Sequence, residues 1–203
     1  GTFVTLMNRE AQRLGMKNTR WANPHGLPDA NNYSTARDLS VMAASVIRDF
    51  PEFYKIDSIK QFTYNKITQQ NRNRLLWLDP TVDGMKTGHT DSSGYSMIAS
   101  ARRPNGNAGQ RRLISVVLGT SSDSVRTQES QKLLNWGFQN FDTVKLYSKG
   151  QAVSTVPVWK GSESNVKLGF TRDVLVTVPK GVARKMKPVL ERKDPLVAPL
   201  ARN

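Results

Sequence analysis

The sequence of 203 residues contains no cysteine. Disulfides, thiolate nucleophiles and cysteine-based zinc sites are therefore excluded, while the absence itself fits cytoplasm and periplasm equally well. Histidine is nearly as scarce: there are two, His25 and His89, and nothing at their spacing suggests a metal site. No apolar run approaches the roughly 20 residues that span a bilayer. The opening stretch, GTFVTLMNREAQRLGM, lacks the pattern of a signal peptide and reads as the inside of a domain. Acidic residues are also few, 16 against 30 Lys and Arg, which leaves a formal net charge of +14. An anionic partner must then be considered, whether nucleic acid, a phospholipid surface or an acidic polymer.

What is present suffices for a folded chain. With 37% hydrophobic residues the sequence can form a real core, as one large domain or as a medium domain with a smaller one. The charge is unevenly spread. Residues 1–142 hold 18 basic and 12 acidic side chains, a net +6, and residues 143–203 hold 12 and 4, a net +8.

Helical spacing of Phe3, Leu6, Met7 and Leu14 predicts an amphipathic first helix stopped at Gly15. Residues 23–34, rich in Asn, Pro, Gly and Asp, read as a loop. Ser34 or Thr35 then caps a second helix whose stripe runs through Leu39, Met42, Ala43, Val46, Ile47 and Phe50 and halts at Pro51. Residues 61–77 read as strand, exposed loop, strand. Two alternating runs, GYSMIASA and RRLISVVLGT, flank a Pro-Asn-Gly turn and predict an antiparallel hairpin. A third helix is expected over Ser121–Phe141, its apolar half packed on the hairpin. After about Asp142 short β-branched runs alternate with Lys-Gly, Gly-Ser and Pro-Lys-Gly turns, which suggests a second, all-β domain. The division expected is 1–141 and 142–203.

The chemistry points to Lys86-Thr87-Gly88, which leads into the first run of that hairpin. A Lys-Thr-Gly tripeptide alone is a weak signal. On a strand edge it is the arrangement acyl-transfer serine enzymes use: a cation beside the nucleophile, a hydroxyl for the substrate carboxylate, and a residue without Cβ that clears space. Five blocks, HGLPD (25–29), FPEFY (50–54), ITQQNRNRLLW (67–77), VDGMKTGHT (82–90) and QRRLISVVLG (110–119), together resemble, in order, the D-alanyl-D-alanine carboxypeptidases among the low-molecular-mass penicillin-binding proteins. The likeness covers Phe3 to Phe141 and, weakly, the β tail.

That resemblance implies an α+β fold, helices on an antiparallel sheet as in penicillin-binding proteins and serine β-lactamases, followed by a small sandwich-like β domain. It implies that Lys86 helps hold the proton network and the substrate carboxylate, that Thr87 hydrogen-bonds that carboxylate, that Gly88 permits the approach, and that the backbone at His89 pairs with substrate and supplies an oxyanion donor. Arg126 and Arg72 would line the pocket, Arg126 meeting the terminal carboxylate. A turn or packing role is expected of His25 and of the His89 side chain. The implied reaction is hydrolysis of the D-Ala-D-Ala bond of a peptidoglycan stem pentapeptide through an acyl-enzyme, with β-lactam antibiotics as substrate mimics, in the periplasm, without metal or cofactor. Peripheral inner-membrane association of the intact protein is implied as well.

The sequence departs from that family in one respect. Of the three motifs such enzymes carry, Ser-x-x-Lys, Ser-x-Asn and Lys-Thr-Gly, only the third stands where it should. There is no Ser-x-Asn, and the sole Ser-x-x-Lys, Ser164 to Lys167, comes after Lys-Thr-Gly among turn residues of the β tail. A nucleophile belongs at the start of a buried helix, so Ser164 is not read as catalytic. The expectation is a stretch that begins just beyond the second motif, inactive alone, whose partner is the missing N-terminal segment. The competing reading is a non-catalytic basic module gripping anionic cell-wall or nucleic-acid polymers. Nucleic acid itself is not expected, because aromatics are not interleaved with the basic residues and VARKMKP is the only tight basic cluster.

Overall fold

The computed structural model describes residues 1–106, 109–186, 189, 191 and 196–200. They fall into two compact units: Gly1–Pro104 with Gln110–Phe138, and Asn105–Gly109 with Gln139–Asn203.

The first unit begins with helix α1 (Thr2–Arg13), which buries Ala11. Helix α2 (Ala36–Asp49) starts where Thr35, in extended conformation, accepts a hydrogen bond from the Asp38 backbone N–H at 3.1 Å. Asp38 is itself buried and accepts from the Asn18 N–H at 2.8 Å and the Thr19 hydroxyl at 2.7 Å, which ties the preceding loop to the helix. Pro51 ends α2 and opens the single turn α3 (Pro51–Tyr54), a position where its missing N–H costs nothing. A 3₁₀ turn, Lys55–Ser58, follows.

Strands β1 (Gln61–Tyr64) and β2 (Ile67–Gln70) form an antiparallel hairpin closed by Asn65 and Lys66, both at positive φ. Helical turn α4 (Leu75–Leu78) comes next. This corrects the strand–loop–strand reading of residues 61–77. Both strands lie within 61–70, and the second apolar run is helical because Leu75 and Leu76 are both buried, which period-two alternation cannot achieve on one face. Asn73 starts that turn by accepting from the Leu75 N–H at 3.1 Å.

Three antiparallel strands, β3 (Val82–Thr90), β4 (Gly94–Pro104) and β5 (Gln110–Thr120), make the main sheet in the order β3-β4-β5. The expected Pro-Asn-Gly turn is Pro104-Asn105-Gly106, with Gly106 at positive φ and the Asn105 N–H donating to the Gly109 carbonyl at 2.7 Å; Asn107 and Ala108 lie outside the described residues. Helix α5 (Asp123–Asn140) contributes Leu134 and Phe138, and α4 contributes Leu75 and Leu76, to one core with Val82, Met97, Ala99, Ala101 and Leu113 from the sheet. Helix α2 contacts β4 and β5. The arrangement is the expected one of helices on an antiparallel sheet.

In the second unit β6 (Phe141–Tyr147) pairs with β9 (Val174–Pro179), while β7 (Ala152–Trp159) pairs antiparallel with β8 (Asn165–Gly169) and parallel with the short β10 (Leu196–Val197). Val156 is buried, and Tyr147 stacks on Phe170 with centroids 5.5 Å apart. The basic cluster VARKMKP includes a 3₁₀ turn, Ala183–Lys185; its Lys187 and Pro188 lie outside the described residues. Among the described residues, no helix is long and apolar enough to cross a membrane.

Candidate active site

Strand β3 pairs with β4 on one side and, among the described residues, with nothing on the other. That edge carries Lys86, Thr87, Gly88 and His89. Beside it lies a cleft of about 420 Å³ lined by Arg72, Arg74, Thr87, Gly88, His89, Tyr95, Asp123 and Arg126.

The cleft is built from the sheet outward. His89 stands opposite Tyr95 in the β3–β4 register, and their rings stack with centroids 3.9 Å apart. The Arg126 guanidinium lies 5.4 Å from the Tyr95 ring centroid and donates to the Gly88 carbonyl at 2.9 Å and to the Ser96 carbonyl at 3.4 Å. Arg126 also forms an ion pair with Asp123, one helical turn earlier. A cation in the first turn of α5 opposes the helix dipole. Asp123 and two carbonyls offset that cost, so Arg126 is held with 4% of its surface exposed. Its Nε has no hydrogen-bond partner among the described residues. Three arginines thus face the cleft against one carboxylate, and that carboxylate is already engaged. An anionic group is the ligand this surface favours.

Lys86 does not line this cleft. Its side chain is exposed, and its Nζ donates to the neighbouring Thr87 carbonyl. Burial pushes the Asp57 carboxyl up, and the nearby Lys86 charge pulls it the other way without prevailing.

Two polar devices anchor the strand from beneath. Asn73, fully buried, donates to the Gly84 carbonyl at 2.9 Å and accepts an N–H of its own loop, so the segment bearing Arg72 and Arg74 is fastened to β3. Asp83 takes both Arg112 guanidinium nitrogens, at 2.6 and 2.7 Å, and the Tyr54 hydroxyl at 2.7 Å. Arg112 reaches Ser100 as well, at 2.6 Å. Burial pushes the Asp83 carboxyl up, but the bonds from Arg112 and Tyr54 and the Arg112 charge outweigh it and hold the group below its ordinary range. Burial likewise drives the Tyr54 phenol well above its ordinary range.

Of the residues expected at the site, Arg72, Thr87, Gly88, His89 and Arg126 come together, and Lys86 adjoins them. Arg74, Tyr95 and Asp123 were not foreseen. The hairpin register could have given Tyr95, which faces His89, and the i,i+3 spacing on one helical turn could have given Asp123 as the partner of Arg126. His25 lies outside the cleft, its Nδ1 accepting from the Leu27 N–H at 3.2 Å. Ser164 is exposed, and its carbonyl accepts from the Val158 N–H at 2.9 Å just before β8.

Residues 1–122 match the family profile of D-alanyl-D-alanine carboxypeptidase, and residues 141–203 match that of the penicillin-binding protein 5 C-terminal domain. The chain is 49% identical to the D-alanyl-D-alanine carboxypeptidase DacA of Haemophilus influenzae over 203 residues, 98% of this chain and 50% of that protein. It superposes on crystal structures of penicillin binding protein 5 from the same organism with a TM-score of 0.88 at 48% identity, covering 98% of this chain and 58% of that one. Penicillin-Binding Protein D2 from Listeria monocytogenes, solved in its ampicillin-bound form, matches with a TM-score of 0.60 at 33% identity over 67% of this chain and 55% of that one. The chain spans about half the length of the curated relatives it matches.

Proposed function

Because the chain belongs to the D-alanyl-D-alanine carboxypeptidase family, we propose that it supplies the carboxylate-reading wall of a serine D-Ala-D-Ala carboxypeptidase of the periplasm, and that the nucleophile comes from sequence outside these residues. The observation that carries this reading is the cleft. A hydroxyl, a glycine and an unpaired strand edge stand beside three arginines whose only facing carboxylate is already paired.

In this reading a peptidoglycan stem peptide lies along the outer edge of β3. Its terminal carboxylate takes the Thr87 hydroxyl, with Arg126 and Arg72 providing positive potential, and Gly88 leaves room for the peptide backbone. Serine attack on the D-Ala-D-Ala bond places negative charge on the carbonyl oxygen. The His89 N–H, held rigidly by sheet pairing, stabilises that charge without reorganising. Terminal D-alanine departs, and water hydrolyses the acyl-enzyme. β-Lactams enter the same path as mimics and leave it slowly. Lys86 participates in the proton network once the nucleophile is beside it. Residues 142–203 take no part in the chemistry; in the intact protein they lift the catalytic part from the membrane.

The chain alone is then expected to acquire no covalent penicillin label, and stoichiometric labelling would overturn this. In the protein extended by the segment its relatives carry, Thr87→Val keeps the β-branched shape and removes the hydroxyl. A hydrogen bond to a charged group is worth about 1.5–3 kcal/mol, so kcat/KM on a carboxylate-ended peptide should fall about 10- to 150-fold. A peptide ending in an amide should lose much less. Equal losses on both would mean that Thr87 shapes the strand and does not read the carboxylate.

A further inference from the structure

The β1–β2 hairpin is amphipathic with its apolar face turned to solvent. Phe62 pairs with Gln69 and Tyr64 with Ile67 in its register, so by period-two alternation Phe62, Tyr64, Ile67 and Gln69 share one face. The other face carries Gln61, Thr63, Thr68 and Gln70, with the two threonine hydroxyls 2.8 Å apart. Phe62, Tyr64 and Ile67 are 65%, 76% and 63% exposed, the reverse of what a two-stranded element does when it has a core to cover.

The hairpin and the segment that follows it, between Asp57 and Asp79, are of one charge sign. From Ser58 to Leu78 there are four cations, Lys60, Lys66, Arg72 and Arg74, and no carboxylate. The last two of these line the cleft. A relay of bonds also fixes the hairpin to the site. The Asn71 N–H donates to the Lys60 carbonyl at 2.7 Å and closes the hairpin base, the Asn71 side chain holds the Asn73 N–H at 2.9 Å, and Asn73 donates to Gly84 of β3 at 2.9 Å. The base of the hairpin is therefore tied to the strand that carries Lys86-Thr87-Gly88.

We propose that this hairpin is a secondary binding surface for the peptidoglycan polymer, its aromatic face stacking on sugar rings of the glycan strand while Lys60, Lys66 and Arg74 attract the carboxylates of the stem peptides. The proposal rests on the reading of the cleft given above. A polymeric substrate extends beyond the peptide end that enters a cleft of about 420 Å³, and the hairpin offers groups that suit the chemistry the rest of it presents. Sugar rings carry flat C–H faces that pack on aromatic rings, and they carry hydroxyls for side chains such as Gln69 on the same face. The cations of the hairpin are opposite in charge to the polymer's free carboxylates and attract them.

The test is co-sedimentation of the full chain with purified peptidoglycan sacculi from which terminal D-alanines have been trimmed, so that cleft recognition of D-Ala-D-Ala does not contribute. The double variant Phe62→Ser, Tyr64→Ser should bind about tenfold more weakly, the usual scale for truncating exposed aromatic anchors. Lys60→Glu should weaken binding in a salt-dependent way. Thr87→Val should leave this binding unchanged, so loss of the cleft reading and loss of this one are separable. All the hairpin substitutions are at exposed positions, and an unchanged circular dichroism spectrum checks the fold. Binding of the double variant equal to the parent's would overturn the proposal. So would capture of the chain by phosphatidylglycerol vesicles with the same dependence on Phe62 and Tyr64, which would assign the face to a lipid surface.

Discussion

In the first unit, beside the surface pairs Glu10–Arg13, Asp49–Arg48, Glu52–Lys55 and Glu129–Lys132, three acid–base contacts are set into the structure. Asp79 binds Arg103, which also bonds Asn135 and Thr81 and lies 4.3 Å from the Phe138 ring centroid; Asp83 binds Arg112, Tyr54 and, through Arg112, Ser100; and Arg126 is nearly inaccessible. In the second unit the ion pair Lys145–Asp173 leaves its side chains 40% and 41% exposed. Both units carry excess positive charge, so net charge does not distinguish them. They differ in what the charges are fastened to. Buried, multiply bonded ions fix the geometry of a strand and a helix terminus, which a site needs. A solvated pair fixes little, and a β module whose buried hydrophobic residue, among those described, is Val156 relies on strand pairing instead.

The strongest way to break this comparison is to strand one partner. Arg112→Met leaves Asp83 half-buried with only the Tyr54 hydroxyl. Unpairing a fully buried ion costs about 3–5 kcal/mol, and because both side chains here still see solvent, about 2–3 kcal/mol is expected. Urea unfolding followed through the first unit measures it. A loss below 1 kcal/mol would place this network with ordinary surface pairs.

A slightly smaller effect is expected from Gly84→Ala. A Cβ there would stand 2.6 Å from the Tyr54 hydroxyl oxygen, so the ring must shift off Asp83. Overpacking of this kind costs about 1–3 kcal/mol, and the hydrogen bond would weaken with it. Because Tyr54 and Arg112 together grip Asp83, Gly84→Ala and Arg112→Met should be non-additive. Additive losses would mean that the two sides of the network act independently.

Acid sharpens the contrast in a third way. Asp79 and Asp83 both have folded-state pKa values below the ordinary range: burial raises each, and hydrogen bonds and guanidinium charge more than reverse it. A depressed carboxyl contributes stability that is present above its unfolded pKa and is lost as pH falls through the folded one, so the first unit should weaken below about pH 4. Asp57, raised by burial, works in the opposite direction and offsets part of the loss. Hydrogen exchange on β3–β5 between pH 5 and 3 reads the effect. Unchanged protection would remove the buried pairs from the account.

How much of this could be read from the sequence follows the same division. Helices α1 and α2 and the β4–β5 hairpin were legible because each has one apolar face with a clear period, and the Thr35 cap and Pro51 stop are local signals; α5 was legible from a Ser cap and from the apolar residues Leu133, Leu134 and Phe138 towards its end. The α4 turn was missed because four apolar residues, Leu75–Leu78, carry no period, and it takes the hydrogen bond from the Leu75 N–H to the Asn73 side chain and the burial of Leu75 and Leu76 to make them helical. At the site, a tripeptide and two arginines were legible by resemblance. The network beneath was not, since Tyr54, Asp83, Ser100 and Arg112 are scattered over nearly sixty positions, 58 between the first and last, and only the sheet register brings them together. Lys86 shows the converse: it was legible as a motif, yet its side chain lies outside the cleft lining.

The smallest expected effect is in the second unit. Asp173 accepts from Lys145 Nζ at 2.6 Å and from the Lys149 backbone N–H at 2.8 Å, and the Lys145 bond is the first of the contacts that hold its carboxyl below the ordinary range. Asp173→Asn removes the charge while the amide oxygen can still accept the Lys149 N–H, so the turn between Tyr147 and Gln151 keeps its backbone contact. What is lost is an attraction between two solvated groups, which water and salt already screen. The urea midpoint of this unit should therefore not move, at low salt or high. A loss comparable to that of Arg112→Met would mean that the second unit depends on its exposed charges as the first depends on its buried ones, and the contrast drawn between them would fail.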